Sequence, residues 1–200
     1  MRTDEHPTLG LTVSIVAILF SAFSFAGWLY ETVENLFSFG GLYLRASLLL
    51  PWCPIYGVGG LIIVVALEPL RKWMSTRIPK AAELALMSVA IYALTTIVEL
   101  VGSYLCEMAM GYVPWDYSDA WMNFDGRVAP AYTLRFVVLG LLALYVVFPL
   151  VRRWAIAHPR AAAITAGVLV VLFVLDSVLQ AMGVWTPVKD ALVPLGINHW

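Results

Sequence analysis

Between His6 and Glu31 the chain runs for 24 residues without a charge, and between Arg45 and Glu68 for another 22. About 20 predominantly apolar residues in a helix cross the ~30 Å hydrocarbon core of a bilayer, so both runs are long enough to span it. Lipid offers no partner to an open backbone amide, which makes helices the form such runs take. The rest of the chain agrees, with 62% hydrophobic and 12% charged residues, against roughly half and a quarter in a soluble domain. A formal net charge of -1 with no basic stripe argues against a nucleic-acid partner. Met1 and Arg2 before the first run, and Ala22, Ala26 and Gly27 near its end, have the look of a secretory signal. The run is too long for a typical signal core, and Asp4 and Glu5 dilute its basic start, so it reads as a retained helix.

The expected fold is all-α, a polytopic helical bundle forming one integral membrane domain over residues 1–200. Helices are expected at about 9–30, 52–70, 81–110, 131–151 and 161–184. The polar and aromatic segment from Glu31 to Leu50 reads as interfacial or re-entrant, with Gly40 and Gly41 as its turn. Short loops rich in Lys and Arg stay on the cytoplasmic side. The 71–80 loop carries four such residues and the 152–160 loop three, whereas the 31–50 and 111–130 segments carry only Arg45 and Arg127. That count predicts an inner amino terminus, an outer carboxyl terminus and two outward polar segments. Each of these segments follows a helix ending in glutamates, contains a glycine and an arginine, and leads through proline into the next helix. This suggests a tandem repeat of helices one and two against three and four, with unrelated helix-end chemistry as the alternative.

The third helix carries Ser88, Tyr92, Thr96, Glu99, Ser103 and Glu107 at helical spacing. In a bilayer such a stripe is expected to face the bundle interior or a wet cavity. The charge of Glu99 then depends on its partner, with Arg45, Arg127 and Arg135 available. Asp176 in the fifth helix falls at a depth similar to Arg135 and is expected to pair with it structurally. Glu31, Glu34, Glu99, Glu107 and Asp116 form either an outward acidic site for a cation, a basic substrate or protons, or a set of internal salt bridges. Their oxygens suit a hard cation rather than zinc. His6, His158 and His199 are terminal or in a loop, so haem and histidine-based zinc sites are not expected, and no cofactor is assigned. Aromatic residues crowd the outer side, among them Trp28, Tyr30, Tyr43, Trp52, Tyr56, Tyr104, Tyr112, Trp115, Tyr117 and Trp121. An interfacial belt accounts for part of this, and a stacking surface for a headgroup, sugar or cation for the rest. Cys53 and Cys106 read as two thiols rather than a bridge, although a disulfide is chemically allowed there.

Four ordered signatures carry a family resemblance. They are G-W-x-x-E at Gly27, Trp28 and Glu31; P-x-C-P-I-Y-G from Pro51 to Gly57; W-D-Y-S from Trp115 to Ser118; and N-x-x-G-R at Asn123, Gly126 and Arg127. Over about residues 25–151 the chain resembles the bacterial membrane family described as "Putative ABC-transporter type IV", the CmpB-like permeases. Of the asparagine, arginine and glycine run that the family tends to show before its second signature, Arg45 survives. The resemblance implies a permease component of the bacterial cytoplasmic membrane. The chain has no Walker A loop, so an ATP-driven role needs a separate ATPase or other transporter subunit.

These readings together predict a membrane component that binds or translocates a small solute or ion. Its outward ligand-binding site is expected to comprise Glu31, Arg45, Glu99, Glu107, Trp115, Asp116, Tyr117, Asn123 and Arg127, with the W-D-Y-S loop as a cap. Besides the bilayer, the expected partners are an ATPase subunit and a second copy of the chain, because five helices are few for a complete transporter. Two alternatives remain open: an integral membrane enzyme acting on a lipid through a carboxylate and an arginine, and a structural or assembly factor.

Overall fold

The computed structural model of the chain describes residues 8–39, 42–44, 48–192 and 197–199, with side chains described at 8–37, 48–188 and 190. In chain order its elements are α1 (Leu9–Phe39), β1 (Leu42–Leu44), α2 (Pro54–Ser75), α3 (Lys80–Met110), α4 (Pro130–Leu142), a π-helical segment (Ala143–Val147), α5 (Phe148–Ala157), α6 (Pro159–Ala181), α7 (Thr186–Leu192) and β2 (Ile197–His199). The two short strands pair in parallel. α4, the π segment and α5 run on as one span, so among the described residues five helices are long and apolar enough to cross a membrane. The protein is an all-α polytopic bundle. Val65, Val89, Ile97 and Ile164 are between 60% and 72% exposed, a pattern that costs little when hydrocarbon, not water, surrounds the helices.

Local chemistry explains where the helices stop. α1 passes the expected end at Tyr30 and continues to Phe39, because the segment beyond Glu31 contains no helix breaker until Gly40. Its polar residues lie on a packed face instead of breaking the helix: Thr32 and Asn35 are both buried. Gly40, Gly41 and Arg45 lie outside the described residues. Trp52, expected inside the second helix, precedes it and is buried. α2 starts at Pro54, where the missing amide of proline is least costly, and runs through Pro69 to Ser75. α3 ends at Gly111, whose φ of 77° permits the left-handed cap and whose N–H reaches the Glu107 carbonyl. α6 stops at Ala181, three residues short of expectation, at Gly183 with φ 72°. Pro149 accounts for the π segment. It has no N–H for the Tyr145 carbonyl and its ring crowds that oxygen, and one wider turn, closed by the Phe148 N–H on the Ala143 carbonyl, absorbs the conflict.

The chain divides into two compact units, residues 1–61 with 149–200, and residues 62–148. In the first, α1 packs along α6. Phe173 takes the edges of Phe20 and Trp52 at ring-centre distances of 5.2 and 5.7 Å. The opening turns of α2 lie against α1 at glycines: a Cβ on Gly57 would fall 2.3 Å from Ser24 Oγ, and one on Gly60 2.4 Å from the Phe23 ring.

In the second unit α3 packs on α4. The buried line of α3 is Glu83, Met87, Ile91, Thr95 and Ser103, and it meets Thr133, Val137 and Gly140 of α4. A Cβ on Gly140 would stand 2.7 Å from Ile91 Cγ2. At Met87, Ile91 and Thr95 the line lies one residue before the polar stripe expected in the sequence, and the two meet at Ser103. Ser88 and Thr96 are only partly covered, and their hydroxyls donate to the carbonyls of Leu84 and Tyr92 on their own helix. Hydroxyls satisfied by the backbone four residues back can face lipid without an interior partner.

Candidate functional site

The four signatures close on one another in two pairs, one in each unit. In the first unit Gly27 of G-W-x-x-E meets Tyr56 of P-x-C-P-I-Y-G, so closely that a Cβ at Gly27 would lie 2.1 Å from Tyr56 Cγ. That approach lets the Tyr56 hydroxyl donate to Glu31 Oε1 at 2.8 Å. The Cys53 N–H donates to the Ser24 carbonyl, tying the same turn to α1. Ser24 Oγ, Thr32 Oγ1 and the Trp52 indole nitrogen are buried here and have no hydrogen-bond partner among the described residues.

In the second unit W-D-Y-S and N-x-x-G-R fold into one loop between α3 and α4. The Trp115 indole donates to the Arg127 carbonyl at 2.8 Å and the Tyr117 N–H to the Gly126 carbonyl at 2.7 Å. The Asn123 amide donates to the carbonyls of Ser118 and Ala120, and its oxygen accepts the Gly126 N–H. Gly126 has φ 64°, and a Cβ there would lie 2.6 Å from Ser118 Oγ, which makes glycine the residue for that position. Asp116 Oδ1 accepts both the N–H and the hydroxyl of Ser118, and these bonds hold its carboxyl below the usual carboxylate range. Trp115 and Asn123 therefore build the loop with their polar groups.

Arg127 organises the outer part of this loop. Its guanidinium donates to Glu107 Oε2 at 2.6 Å and Asp125 Oδ2 at 3.0 Å, reaches Ser103 Oγ at 3.3 Å and lies 4.0 Å over the Tyr104 ring. The Glu107 hydrogen bond, more than the other contacts, raises its pKa. A cavity of about 260 Å³ opens beside it, lined by Val113, Trp115, Asp116, Asp125, Gly126 and Arg127.

Glu99 sits deeper, ~16 Å from the end of α3 at 1.5 Å per residue. Thr133 Oγ1 donates to its Oε2 at 3.1 Å, and the Tyr117 hydroxyl approaches Oε1 at 3.4 Å. Tyr117 is held for this by stacking on Tyr132, 4.0 Å away and nearly parallel. Among the described residues Glu68, Glu83, Glu107 and Asp125 enter ion pairs, and Glu99 enters none. Its two partners are neutral hydroxyls.

The second unit thus gathers Glu99, Glu107, Trp115, Asp116, Tyr117, Asn123 and Arg127 of the expected site, and Glu31 belongs to the first. Arg45 lies outside the described residues. Asp176 is buried in the first unit and accepts the N–H groups of Leu49 and Leu50 at 3.2 and 3.0 Å. Arg135 stands over the Tyr132 ring at 4.8 Å in the second. Cys53 and Cys106 are not disulfide-bonded. Among the described residues no three His, Cys, Asp or Glu side chains are grouped to hold a metal.

Sequence reasoning did not single out a further cluster in the second unit, made by Glu68, Arg71, Lys80, Glu83 and Tyr145. Its signal is a carboxylate three residues from a cation on each side of the basic loop, Glu68 with Arg71 and Lys80 with Glu83. Among known families, a model described as "Putative ABC-transporter type IV" matches residues 18–181. No curated protein and no solved structure matches the chain.

Proposed function

The chain belongs to this ABC-transporter type IV family, and from that premise we propose that it is a permease-like component binding a small cation, basic solute or proton at the loop end of its second unit. The carrying observation is the Glu99 carboxylate, set within a membrane-length helix and met by two hydroxyls and no cation. A carboxylate there is costly unless something compensates its charge, and a ligand cation or a proton does so. Glu107 and Asp125 are already matched by Arg127, which leaves Glu99 as the acceptor and the W-D-Y-S loop as its cover. Glu31 with Tyr56 supplies a second carboxylate and hydroxyl in the first unit, and Arg45 adds a cation to the segment that follows. The lysine and arginine count supports an orientation with this loop outward, the amino terminus inside and the carboxyl terminus outside, and the family resemblance supports a multi-pass protein of the bacterial cytoplasmic membrane. Without a phosphate-binding loop of its own, the chain works with a separate ATPase subunit if ATP drives it, and five spans favour a second copy.

Proteoliposomes test this. Flux of alkali and organic cations, and of protons reported by a trapped pH dye, is expected from the wild-type protein and at least about tenfold less from Glu99→Gln, roughly the 1.4 kcal/mol of one lost charged contact. Glu107→Gln, at an exposed position, is expected to keep most of it. Wild-type flux from Glu99→Gln sinks the proposal. So does a chemically altered lipid without flux, which is the behaviour of a lipid enzyme.

A further inference from the structure

The opposite end of the second unit, ~40 Å along α3 from Glu107 at 1.5 Å per residue, carries a different kind of site. α2 ends at Ser75 and α3 begins at Lys80, and a connection this short between two membrane-length helices has to lie at the bilayer surface. From Glu68 to Glu83 the sequence holds Arg71, Lys72, Arg77 and Lys80 against those two carboxylates, a surplus of positive charge. The carboxylates are buried beneath it. Glu83, 2% exposed, accepts the Tyr145 hydroxyl at 2.7 Å and the Lys80 ammonium at 3.0 Å. Glu68 takes Arg71 in a two-pronged bond of 2.6 and 2.9 Å and draws the Lys72 ammonium to 3.6 Å. The Tyr145 ring, carried by the π segment, lies 4.1 Å under Lys80 Nζ and 5.4 Å from the Arg71 guanidinium.

A loop kept inside the cell by its charge needs only the cations. Burying two glutamates below them costs desolvation, and the return is position: Lys72 and Lys80 are anchored at their tips yet remain 63% and 58% exposed. Beside them the exposed Trp73 carries the Arg77 guanidinium 4.8 Å over its ring, and Arg77 Nη1 donates to the Trp73 carbonyl. Three anchored cations next to an interfacial indole match an anion that sits at the level of the lipid headgroups.

We infer that this end of the second unit binds the phosphate of an anionic phospholipid through Lys72, Arg77 and Lys80, with Trp73 against the glycerol and upper chain. The inference is independent of the Glu99 site. The full chain, purified in detergent and offered equal phosphatidylglycerol and phosphatidylcholine, is expected to retain the former preferentially by native mass spectrometry. Each cation removed should lower the preference about fivefold. Lys72→Gln with Arg77→Gln leaves the Glu83 and Arg71 bonds in place, so this variant is expected to lose the preference while melting with the wild type. Arg152→Gln with Arg153→Gln, which removes equal charge from the other basic loop, is expected to keep it. Soluble glycerol phosphate should not compete. On the unmodified protein, raising salt from 0.05 to 0.5 M should weaken the preference. Equal retention of the two lipids by the wild type, an equal loss from both double variants, or displacement by glycerol phosphate overturns the inference.

Discussion

Gly27→Ala is the smallest change that tests how the first two signatures interlock. The new Cβ would stand 2.1 Å from Tyr56 Cγ and 2.4 Å from its Cβ, whereas ordinary contact begins near 3.4 Å. A rotamer change can move the ring but not the tyrosine Cβ, so the start of α2 has to retreat by about 1.0 Å, the shortfall between 2.4 and 3.4 Å. A retreat of that size along the same line stretches the 2.8 Å bond from the Tyr56 hydroxyl to Glu31 to about 3.8 Å, beyond hydrogen-bonding range. Overpacking costs ~1–3 kcal/mol, and the lost hydroxyl-to-carboxylate bond adds about 1–3 kcal/mol. The expected loss is therefore ~2–6 kcal/mol, a large part of the ~5–15 kcal/mol typical of a folded domain. Reversible unfolding in mixed micelles, followed by circular dichroism, measures it. Repeating the substitution in a Tyr56→Phe background isolates the bond, because that background has none to lose. A coupling of ~1–3 kcal/mol is expected. Gly27→Ala with wild-type stability, or purely additive effects of the two substitutions, would refute the mechanism.

The second loop should respond to its own glycine. Gly126→Ala places a Cβ at φ 64° and 2.6 Å from Ser118 Oγ, so faster amide exchange is expected across residues 115–127, with α3 and α4 protected as before. Asp116 gives the loop a pH response whose sign follows from its lowered pKa. The folded form holds the charged carboxylate better than the unfolded one, so its contribution is complete above the ordinary aspartate range and disappears as pH falls through the lowered value. The protection factor of the Ser118 amide, its exchange relative to an unstructured chain at the same pH, should fall at acid pH in the wild type and be low at every pH in Asp116→Ala, and a wild-type protection factor independent of pH would contradict this.

The five spans were legible because uncharged runs and helix-end prolines are properties of consecutive residues. The extension of α1 past Glu31 was not, since a polar segment reads as a break until Thr32 and Asn35 are seen to share a packed face. Ser88 and Thr96 illustrate the reverse error. Their spacing implied an interior stripe, but hydroxyls can be satisfied by their own helix, so the buried line lies one residue over at Met87, Ile91 and Thr95. The signatures were readable as motifs, yet their mutual closure was not, because it depends on the hairpin that brings residue 27 to residue 56. Tyr145 and Glu83 are 62 positions apart, and only the π turn at Pro149 and the packing of the second unit bring them together. Nothing in either local sequence announces the other.

The bond between Asp176 and the amides of Leu49 and Leu50 bears on the order in which the protein is made. The contacts that join α1 to α2 and α3 to α4 close over 25 and 34 residues, so each can form soon after its second helix emerges from the ribosome. The Asp176 contacts reach back 126 and 127 residues. Until the last span enters the bilayer, the bend before α2 has two amides waiting for an acceptor that has not been synthesised. The first unit, begun earliest, is therefore the last to be completed, and the closing stitch is the carboxylate of a single aspartate.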